Sequence, residues 1–212
     1  MRNVQIKSKE RVSNHGEVFT NEKEVKAMCD LVNNETQRID SRFLEPACGD
    51  GNFLNEILIR KLIIVKNKYK KSISDYEKMS LLAVSSLYGI DLLRDNIINC
   101  INRLYKTWEN EYLKISKSNI SNEIKDSIKF ILRKNIICGN ALTFNTIDEN
   151  GKETNEPIIF SEWSFIIGSN LQRSDYIFEN LLNANNNLFN QHNQSTLLKK
   201  YITHYRKIKD YE

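Results

Sequence analysis

Residues 42–53 constrain the fold more than any other part of the chain. They read RFLEPACGDGNF, a short apolar run followed by Glu-Pro and then by two glycines at alternate positions, Gly49 and Gly51. Apolar residues then recur from Phe53 onward at the spacing of an amphipathic helix. The segment therefore predicts a strand, a tight turn and a helix in direct succession.

The turn has the features of a ligand-binding loop. Glycine has no Cβ, so the backbone can approach a ligand closely and can adopt a positive φ. The helix that follows offers its free N–H groups at the same place. A dinucleotide fingerprint requires a third glycine three residues after Gly51, where this chain has Leu54. The spacing disfavours NAD and FAD, and the two glycines alone leave a purely structural turn as an alternative.

The longer string EPACGDGNF resembles the adenosylmethionine-binding motif D/E-P-x-C/A-G-x-G-x-F of the DNA adenine-N6 methyltransferases of restriction-modification systems. Four other segments resemble further parts of that family, in the same order along the chain. They are residues 16–28 before the motif, 87–97 for the second strand, 136–142 for the third strand, and 163–175 for the fourth strand and the catalytic loop. The resemblance covers roughly residues 11–180.

The resemblance implies an α/β fold: a Rossmann-like class I methyltransferase sheet with helices on both faces, preceded by an N-terminal helical arm. Residues 1–40 would form the arm and its helix, which Asn21 and Glu24 begin as a capping box. Residues 41–182 would form the adenosylmethionine-binding domain, and residues 183–212 a polar, basic tail or helix. We expect a fourth strand at residues 163–168 and none after it, so the sheet would be incomplete at its C-terminal end.

The resemblance also implies a set of cofactor-binding residues. The aromatic-Thr pair of the arm would contact the methionine end of S-adenosyl-L-methionine, Asp91 would accept the ribose hydroxyls, and Asn140 would accept the adenine amino group in place of the usual aspartate. The full set is Phe19, Thr20, Glu45, Ala47, Gly49, Gly51, Phe53, Asp91 and Asn140.

Catalysis in this family depends on a loop of the form [D/N/S]-P-P-[Y/F] after the fourth strand. The exocyclic amine of adenine is a poor nucleophile, so the enzyme extrudes the base, holds it flat and accepts its amino hydrogens. Ser169 and Asn170 stand at that place and are the catalytic candidates. Leu171 and Gln172 follow them, without the prolines or the stacking aromatic. Because stacking contributes ~1–3 kcal/mol per base, the activity of this chain by itself stays an open question.

Composition sets wider limits. The net charge of +4 does not by itself indicate nucleic acid, although basic residues crowd positions 60–71 and 199–209, either as solvated helix faces or as phosphate contacts. The four cysteines form no CxxC pair, which disfavours a zinc site and a disulfide framework and predicts a cytoplasmic protein with reduced thiols. No apolar stretch approaches the ~20 residues of a membrane span, and no signal peptide is expected.

Four functions remain open at this point. The first is adenine-N6 methylation of double-stranded DNA with a flipped base, with a partner chain supplying specificity or the missing part of the fold. The second is a non-catalytic subunit that binds the cofactor or DNA. The third is a methyltransferase acting on RNA, protein or a small molecule, and the fourth is a nucleotide-binding fold that retains no ligand.

Overall fold

Two β-sheets organise the chain. A computed structural model describes residues 8, 11, 13, 20–116, 119–186 and 197–210. Within these ranges the protein is α/β, with a mixed five-stranded sheet and a separate antiparallel sheet of three strands. Phe19 lies outside the described residues.

The elements are numbered here in chain order. The helices are α1 Glu22–Leu31, α2 Asn33–Thr36, α3 Asn52–Tyr69, α4 Ile73–Ser85, α5 Arg94–Leu113, α6 Asn122–Asn135 and α7 Phe178–Asn186, with a 3₁₀ turn at Ile208–Asp210. The strands are β1 Phe43–Glu45, β2 Leu87–Asp91, β3 Ile136–Asn140, β4 Asn145–Ile147, β5 Glu153–Pro157, β6 Ile159–Phe165, β7 Asn170–Ile177 and β8 Leu197–His204.

The larger sheet has the strand order β1-β2-β3-β4-β5. Strands β1, β2 and β3 are parallel, with Phe43 opposite Leu87 and Gly89 opposite Ile136. Parallel strands require long crossovers, and helices α3 and α4 supply the first while α5 and α6 supply the second. Strands β4 and β5 add as antiparallel hairpins. As a result, the carboxyl ends of the three parallel strands meet at one side of the sheet.

The two faces of this sheet are covered differently. Gly89 faces the helical layer closely, because a Cβ built there would lie 3.0 Å from Leu54 Cδ1. Tyr88 and Ile90 belong to a second buried cluster with Ile158, Phe160 and Phe178, from β6, the residue before it and the start of α7. The expectation of helices on both faces is therefore only partly right, since the second sheet supplies most of the second face.

The larger buried cluster is built mainly by helices α3 to α6. Trp108 is fully buried, and its Nε1 donates to Ser80 Oγ at 3.0 Å, which satisfies its polar atom. Phe130 packs edge-to-face against Trp163 of β6, so the second sheet also contributes to this core. Burying an apolar side chain of this size stabilises the fold by about 2–3 kcal/mol. None of the described helices has the length and apolar character needed to cross a membrane.

The predicted fourth strand is present, but it does not belong to the sheet that contains β1. Residues 159–165 do form a strand, but β6 pairs antiparallel with β7 and lies outside the sheet that contains β1. Strands β7 and β8 follow Gly168, where no strand was expected, and β8 replaces the expected basic helix. The sequence of β7 lacks the apolar alternation typical of a strand. Its buried positions include Arg173 and Asp175, which form an ion pair with Arg173 Nη2 2.6 Å from Asp175 Oδ2.

Helices α1 and α3 and strands β1, β2 and β3 lie where the sequence predicts them, whereas α6, β4 and β5 lie in stretches for which the sequence predicts no helix or strand. Ser121 is the N-cap of α6 and accepts the Ile124 N–H, and Ile124, Ile128 and Ile131 are buried at helical spacing. The capping box of α1 is confirmed, because Asn21 Oδ1 accepts the Glu24 N–H at 3.1 Å while Glu24 Oε2 accepts the Asn21 N–H.

Candidate functional site

A cavity of about 540 Å³ opens at the carboxyl ends of the three parallel strands. Its wall includes the last residue of each strand, namely Glu45, Asp91 and Asn140, together with the N-terminus of α3. Small-molecule sites have volumes of about 300–1,000 Å³ and occur at this position in open α/β sheets. The fold thus places a ligand-sized space where the sequence predicted a binding loop.

Most of the sequence-predicted cofactor residues meet in this cavity. Those that line it are Thr20, Glu45, Ala47, Gly49, Phe53, Asp91 and Asn140. Gly51, Ser169 and Asn170 do not line it. These residues are far apart in the sequence, because they lie at the ends of three different strands.

Asp91 joins the two loops that form the cavity floor. Its Oδ2 accepts the Gly49 N–H at 2.9 Å, and its Oδ1 accepts the Leu93 N–H at 2.9 Å and the Asn96 Nδ2 at 3.1 Å. A carboxylate that accepts three bonds holds its own position and that of the glycine turn. Oδ1 already accepts two of these bonds, so the remaining acceptor capacity for a ligand hydroxyl lies on Oδ2.

The glycine turn has two different roles. Gly49 has φ 53° and lines the cavity. Gly51 has φ 87° at the N-cap of α3, and a Cβ built on it would lie 2.6 Å from Cys100 Sγ. Gly51 therefore allows the left-handed turn and the close packing of α3 against α5. The motif predicts instead that the space beside Gly51 is occupied by the cofactor.

The N-terminus of α3 lies at the cavity wall and has no side-chain cap. Gly51 supplies no side-chain hydrogen bond to the first turn, while Asn52 and Phe53 line the cavity wall. Free N–H groups and the helix macrodipole favour an acceptor group or an anion at this place.

The charged side chains that line the cavity are acidic, in contrast to the positive end of the α3 helix dipole. Glu45, Asp50 and Asp91 line it, and its described lining contains no lysine or arginine. Outside the lining, Arg103 neutralises Asp50 through Nη2 at 2.6 Å from Oδ2. Burial raises the pKa of Glu45 above its usual value, against a weak bond from the Ala47 N–H. Such a cavity suits a ligand with hydroxyls and a positive charge, and it offers no cationic side chain to a polyphosphate.

Asn140 closes the third side of the cavity. Its Oδ1 accepts the Leu142 N–H at 3.0 Å, and its Nδ2 donates to Glu153 Oε2 at 3.0 Å. These bonds determine which way the amide faces, and its oxygen retains a second lone pair. The side chain can still accept one hydrogen bond from a ligand amino group.

Apolar side chains form part of the cavity rim. Leu92 and Leu142 are 43% and 89% exposed, and each follows a strand end that lines the cavity. Exposed leucines at the mouth of a cavity are suited to the faces of a flat ring. Neither leucine was predicted from the sequence, although each is one or two positions from a predicted site residue. The lining residues not predicted from the sequence are Pro46, Cys48, Asp50, Asn52, Leu92, Leu93, Asn96, Gly139, Ala141 and Leu142.

Cys48, which lines the cavity, and Cys100 are buried free thiols. A hydrogen bond with Cys100, together with burial, strongly raises the pKa of the Cys48 thiol. A thiol in this state is a poor nucleophile. Among the residues that the structure describes, no cluster of three His, Cys, Asp or Glu side chains could hold a metal ion.

Ser169 and Asn170 lie at the far end of β6 from the cavity. The start of β6 is close to it, because Ile158 Cδ1 would lie 2.7 Å from a Cβ on the lining residue Gly139. The strand then runs through Phe165, and a strand of this length spans about 20 Å. The Ser169 carbonyl accepts the Tyr205 N–H at 3.0 Å. The structure therefore does not bring the two catalytic candidates to the cavity.

Comparison of the chain with known proteins found no matching family model, no matching curated protein and no matching solved structure.

Proposed function

We propose that the cavity binds S-adenosylmethionine and that the chain serves the N6 methylation of adenine in double-stranded DNA. The observation that carries the proposal is the meeting of Glu45, Gly49 and Asp91 around one cavity that has no lining cation among the described residues. Adenosylmethionine is positively charged at its sulfonium and its ammonium and has two ribose hydroxyls, so its chemistry fits these groups.

The order of the parallel strands also supports the proposal. Strands β3, β2 and β1 follow one another as in one half of a doubly wound sheet, in which nucleosides bind outside the carboxyl ends. A Rossmann-like methyltransferase sheet, incomplete beyond β1 in the described residues, is the finer fold that we propose on this basis.

Each part of the cavity has a proposed role toward the cofactor. Asp91 Oδ2 accepts a ribose hydroxyl, and the carboxylate of Glu45 faces the positively charged end. The adenine lies between the leucines of the rim, where Asn140 Oδ1 accepts its amino group. The bound cofactor supplies an electrophilic methyl group, while these side chains hold it in place and orient it.

The choice of DNA adenine as the methyl acceptor rests on the resemblance of the sequence motifs. A second function is favoured by the position of Ser169 and Asn170, about 20 Å from the cavity by strand length. In that alternative the chain binds the cofactor without catalysing transfer, as a subunit that assists a partner.

Calorimetry with adenosylmethionine tests the proposed site. We expect a dissociation constant in the micromolar to millimolar range, weakened about tenfold by Glu45→Gln because one charge partner is removed. Glu45 accepts only a weak bond at 3.4 Å from the Ala47 N–H, so the variant should melt at the same temperature as the wild type. Asp40→Asn, which changes an exposed acid outside the cavity, is the matched control and should leave binding unchanged.

Three outcomes separate the alternatives. Absence of heat at millimolar ligand in the folded protein would contradict the cofactor site. Binding accompanied by transfer of labelled methyl groups to unmethylated duplex DNA would support the methyltransferase, while binding without transfer would favour the non-catalytic subunit.

A further inference from the structure

The side-chain amide of Asn140 has one direction in the cavity wall. The Leu142 backbone N–H can only donate, so the atom that it meets at 3.0 Å is the amide oxygen Oδ1. An ionised carboxylate can only accept, so the atom that Glu153 Oε2 meets at 3.0 Å is the amide nitrogen Nδ2. The partners at both ends therefore decide which end is oxygen and which is nitrogen.

Glu153 is held in place by the hairpins that follow β3. It begins β5, and the antiparallel pairing of β3, β4 and β5 brings it back to Asn140 at the end of β3. Its Oε1 accepts the Asn145 Nδ2 at 3.3 Å. Hydrogen bonds, with the largest effect from Thr143, lower the pKa of Glu153, so its carboxylate is ionised at neutral pH. Glu153 does not line the cavity and acts on it only through Asn140.

A half-turn of the amide would lose both contacts. Oδ1 would then lie against the Glu153 carboxylate, which places two acceptors together. Nδ2 would lie against the Leu142 N–H, which places two donors together. Leaving a polar group opposite a group that cannot bond to it costs more than a single hydrogen bond contributes. Glu153 and Leu142 together therefore prevent the amide from turning.

Each end of the amide keeps one site for a ligand. An amide oxygen accepts two hydrogen bonds and an amide nitrogen donates two, and the protein uses one of each at Asn140. Adenine presents its 6-amino donor beside a ring-nitrogen acceptor, a pair that an asparagine amide matches. A 6-oxo purine presents an acceptor where adenine has its donor. It would require the amide to turn.

We propose that Glu153 is a positioning residue that makes the cavity select a 6-amino purine over a 6-oxo purine, because it prevents the Asn140 amide from turning. The inference rests on the proposed function, in which the purine of the cofactor lies beside Asn140. A carboxylate at position 140 could only accept, so it would reject the 6-oxo group without help. An amide can match either purine, and a second residue has to choose between them.

Calorimetry on the whole chain with two ligands that differ at one position of the purine tests this role. The ligands are adenosylmethionine and its 6-oxo analogue, in which hypoxanthine replaces adenine. We expect the wild type to bind the adenine ligand about twentyfold more tightly, because the oxo group would meet the amide oxygen and leave both unpaired.

Two substitutions at Glu153 separate positioning from stability. Glu153→Gln can donate as well as accept, so it tolerates the turned amide and should lower the ratio of the two affinities about threefold. Glu153→Lys offers only donors and should lower the ratio about tenfold. Glu156→Gln removes an exposed acid of the same strand outside the cavity lining, and it should keep the wild-type ratio. A loosened hairpin would weaken both ligands by the same factor, so the ratio reports the direction of the amide.

The outcomes distinguish this role from the proposed function. If the folded protein bound neither ligand, the proposed cofactor site would be overturned and the role of Glu153 with it. Equal affinities in the wild type, or an unchanged ratio in Glu153→Lys, would overturn the role of Glu153 and leave the cofactor site in place. A ratio that falls from wild type to Glu153→Gln to Glu153→Lys would support it. If Glu153→Lys fails to fold, the ratio in Glu153→Gln decides the question.

Discussion

Single residues in this protein have roles that depend on packing partners distant in sequence. Gly51 belongs to a binding motif by its sequence, yet it faces Cys100 of α5 rather than the cavity. Lys61 stands in a basic run that has the composition of a solvated face, yet it is fully buried. In both cases the neighbouring atoms come from another element.

The cost of a side chain at Gly51 has two separable parts. A left-handed backbone costs a non-glycine residue about 1–2 kcal/mol, and the new Cβ would lie 2.6 Å from Cys100 Sγ. We expect Gly51→Ala to lower the free energy of unfolding by about 2–4 kcal/mol. Adding Cys100→Ala should recover the contact part and leave the backbone part, as measured by urea denaturation of the four proteins of the cycle.

The same variants distinguish packing from ligand contact. If Gly51→Ala kept full stability and lost only its affinity for adenosylmethionine, Gly51 would lie under the ligand, as the motif spacing predicts. Equal losses of stability with and without Cys100→Ala would show that the contact with the sulfur contributes nothing.

Lys61 gives the stability of the protein a specific dependence on pH. Its Nζ donates to the carbonyls of Ile39 and Ser41 and to Ser86 Oγ. These acceptors favour the ammonium form, but burial dominates and lowers its pKa to about 7. The unfolded chain keeps this proton up to about pH 10.4. Unfolding above pH 7 therefore takes up a proton, and the contribution of Lys61 to stability rises with pH.

Lys61→Met removes this titration while keeping a long side chain. Between pH 7.5 and 9.5 we expect the free energy of unfolding of the wild type to rise relative to the variant by about 1 kcal/mol per pH unit. Urea denaturation at each pH measures the difference. A constant difference across this range would mean that Lys61 keeps an ordinary pKa in the folded protein.

At the scale of elements, the sequence predicts the parts of the fold that depend on local pattern. Helices α3, α4 and α5 and strand β3 carry clear apolar periodicity or β-branched runs. The strand ends that meet at the cavity follow from the motif and from parallel connections, so the strand-end residues and the glycine turn of the candidate site were predictable. Cavity residues such as Asp50 and Asn96 were not, because their positions depend on Arg103 and Asp91 across loops.

The second sheet escapes sequence reasoning for a physical reason. Strand β7 reads NLQRSDYI, and its buried polar residues are tolerable only because they satisfy each other. Arg173 donates to Asp175 with Nε 2.8 Å from Oδ1, and Ser161 of β6 donates to the same oxygen at 2.7 Å. The hydrogen bonds of Arg173 and Ser161 keep the pKa of Asp175 low against the effect of burial. Such a pattern carries no periodicity from which a strand could be recognised.

At the scale of the whole molecule, one buried carboxylate connects the C-terminal segment to the helical layer. Glu77 of α4 is 2% exposed and accepts the hydroxyls of Tyr112 and Tyr205, each at 2.6 Å. Arg206 donates to it through Nε at 3.0 Å and Nη2 at 2.5 Å. The residues after β8 are thus bonded to the core, although the sequence placed them in a tail.

Glu77→Gln should accordingly destabilise the whole protein rather than loosen its end. A buried carboxylate that loses its charge leaves Arg206 without its ion partner, and breaking such a pair costs about 3–5 kcal/mol. We expect the lower part of this range because the Arg206 side chain is 32% exposed. Tyr205→Phe, which removes one hydrogen bond from the same group, should cost about 1 kcal/mol. If the C-terminal segment were an independent tail, both variants would keep the wild-type urea midpoint by circular dichroism and differ only in proteolysis beyond β8. A common loss of midpoint, larger for Glu77→Gln, would show that the second sheet, its C-terminal extension and the helical layer unfold together.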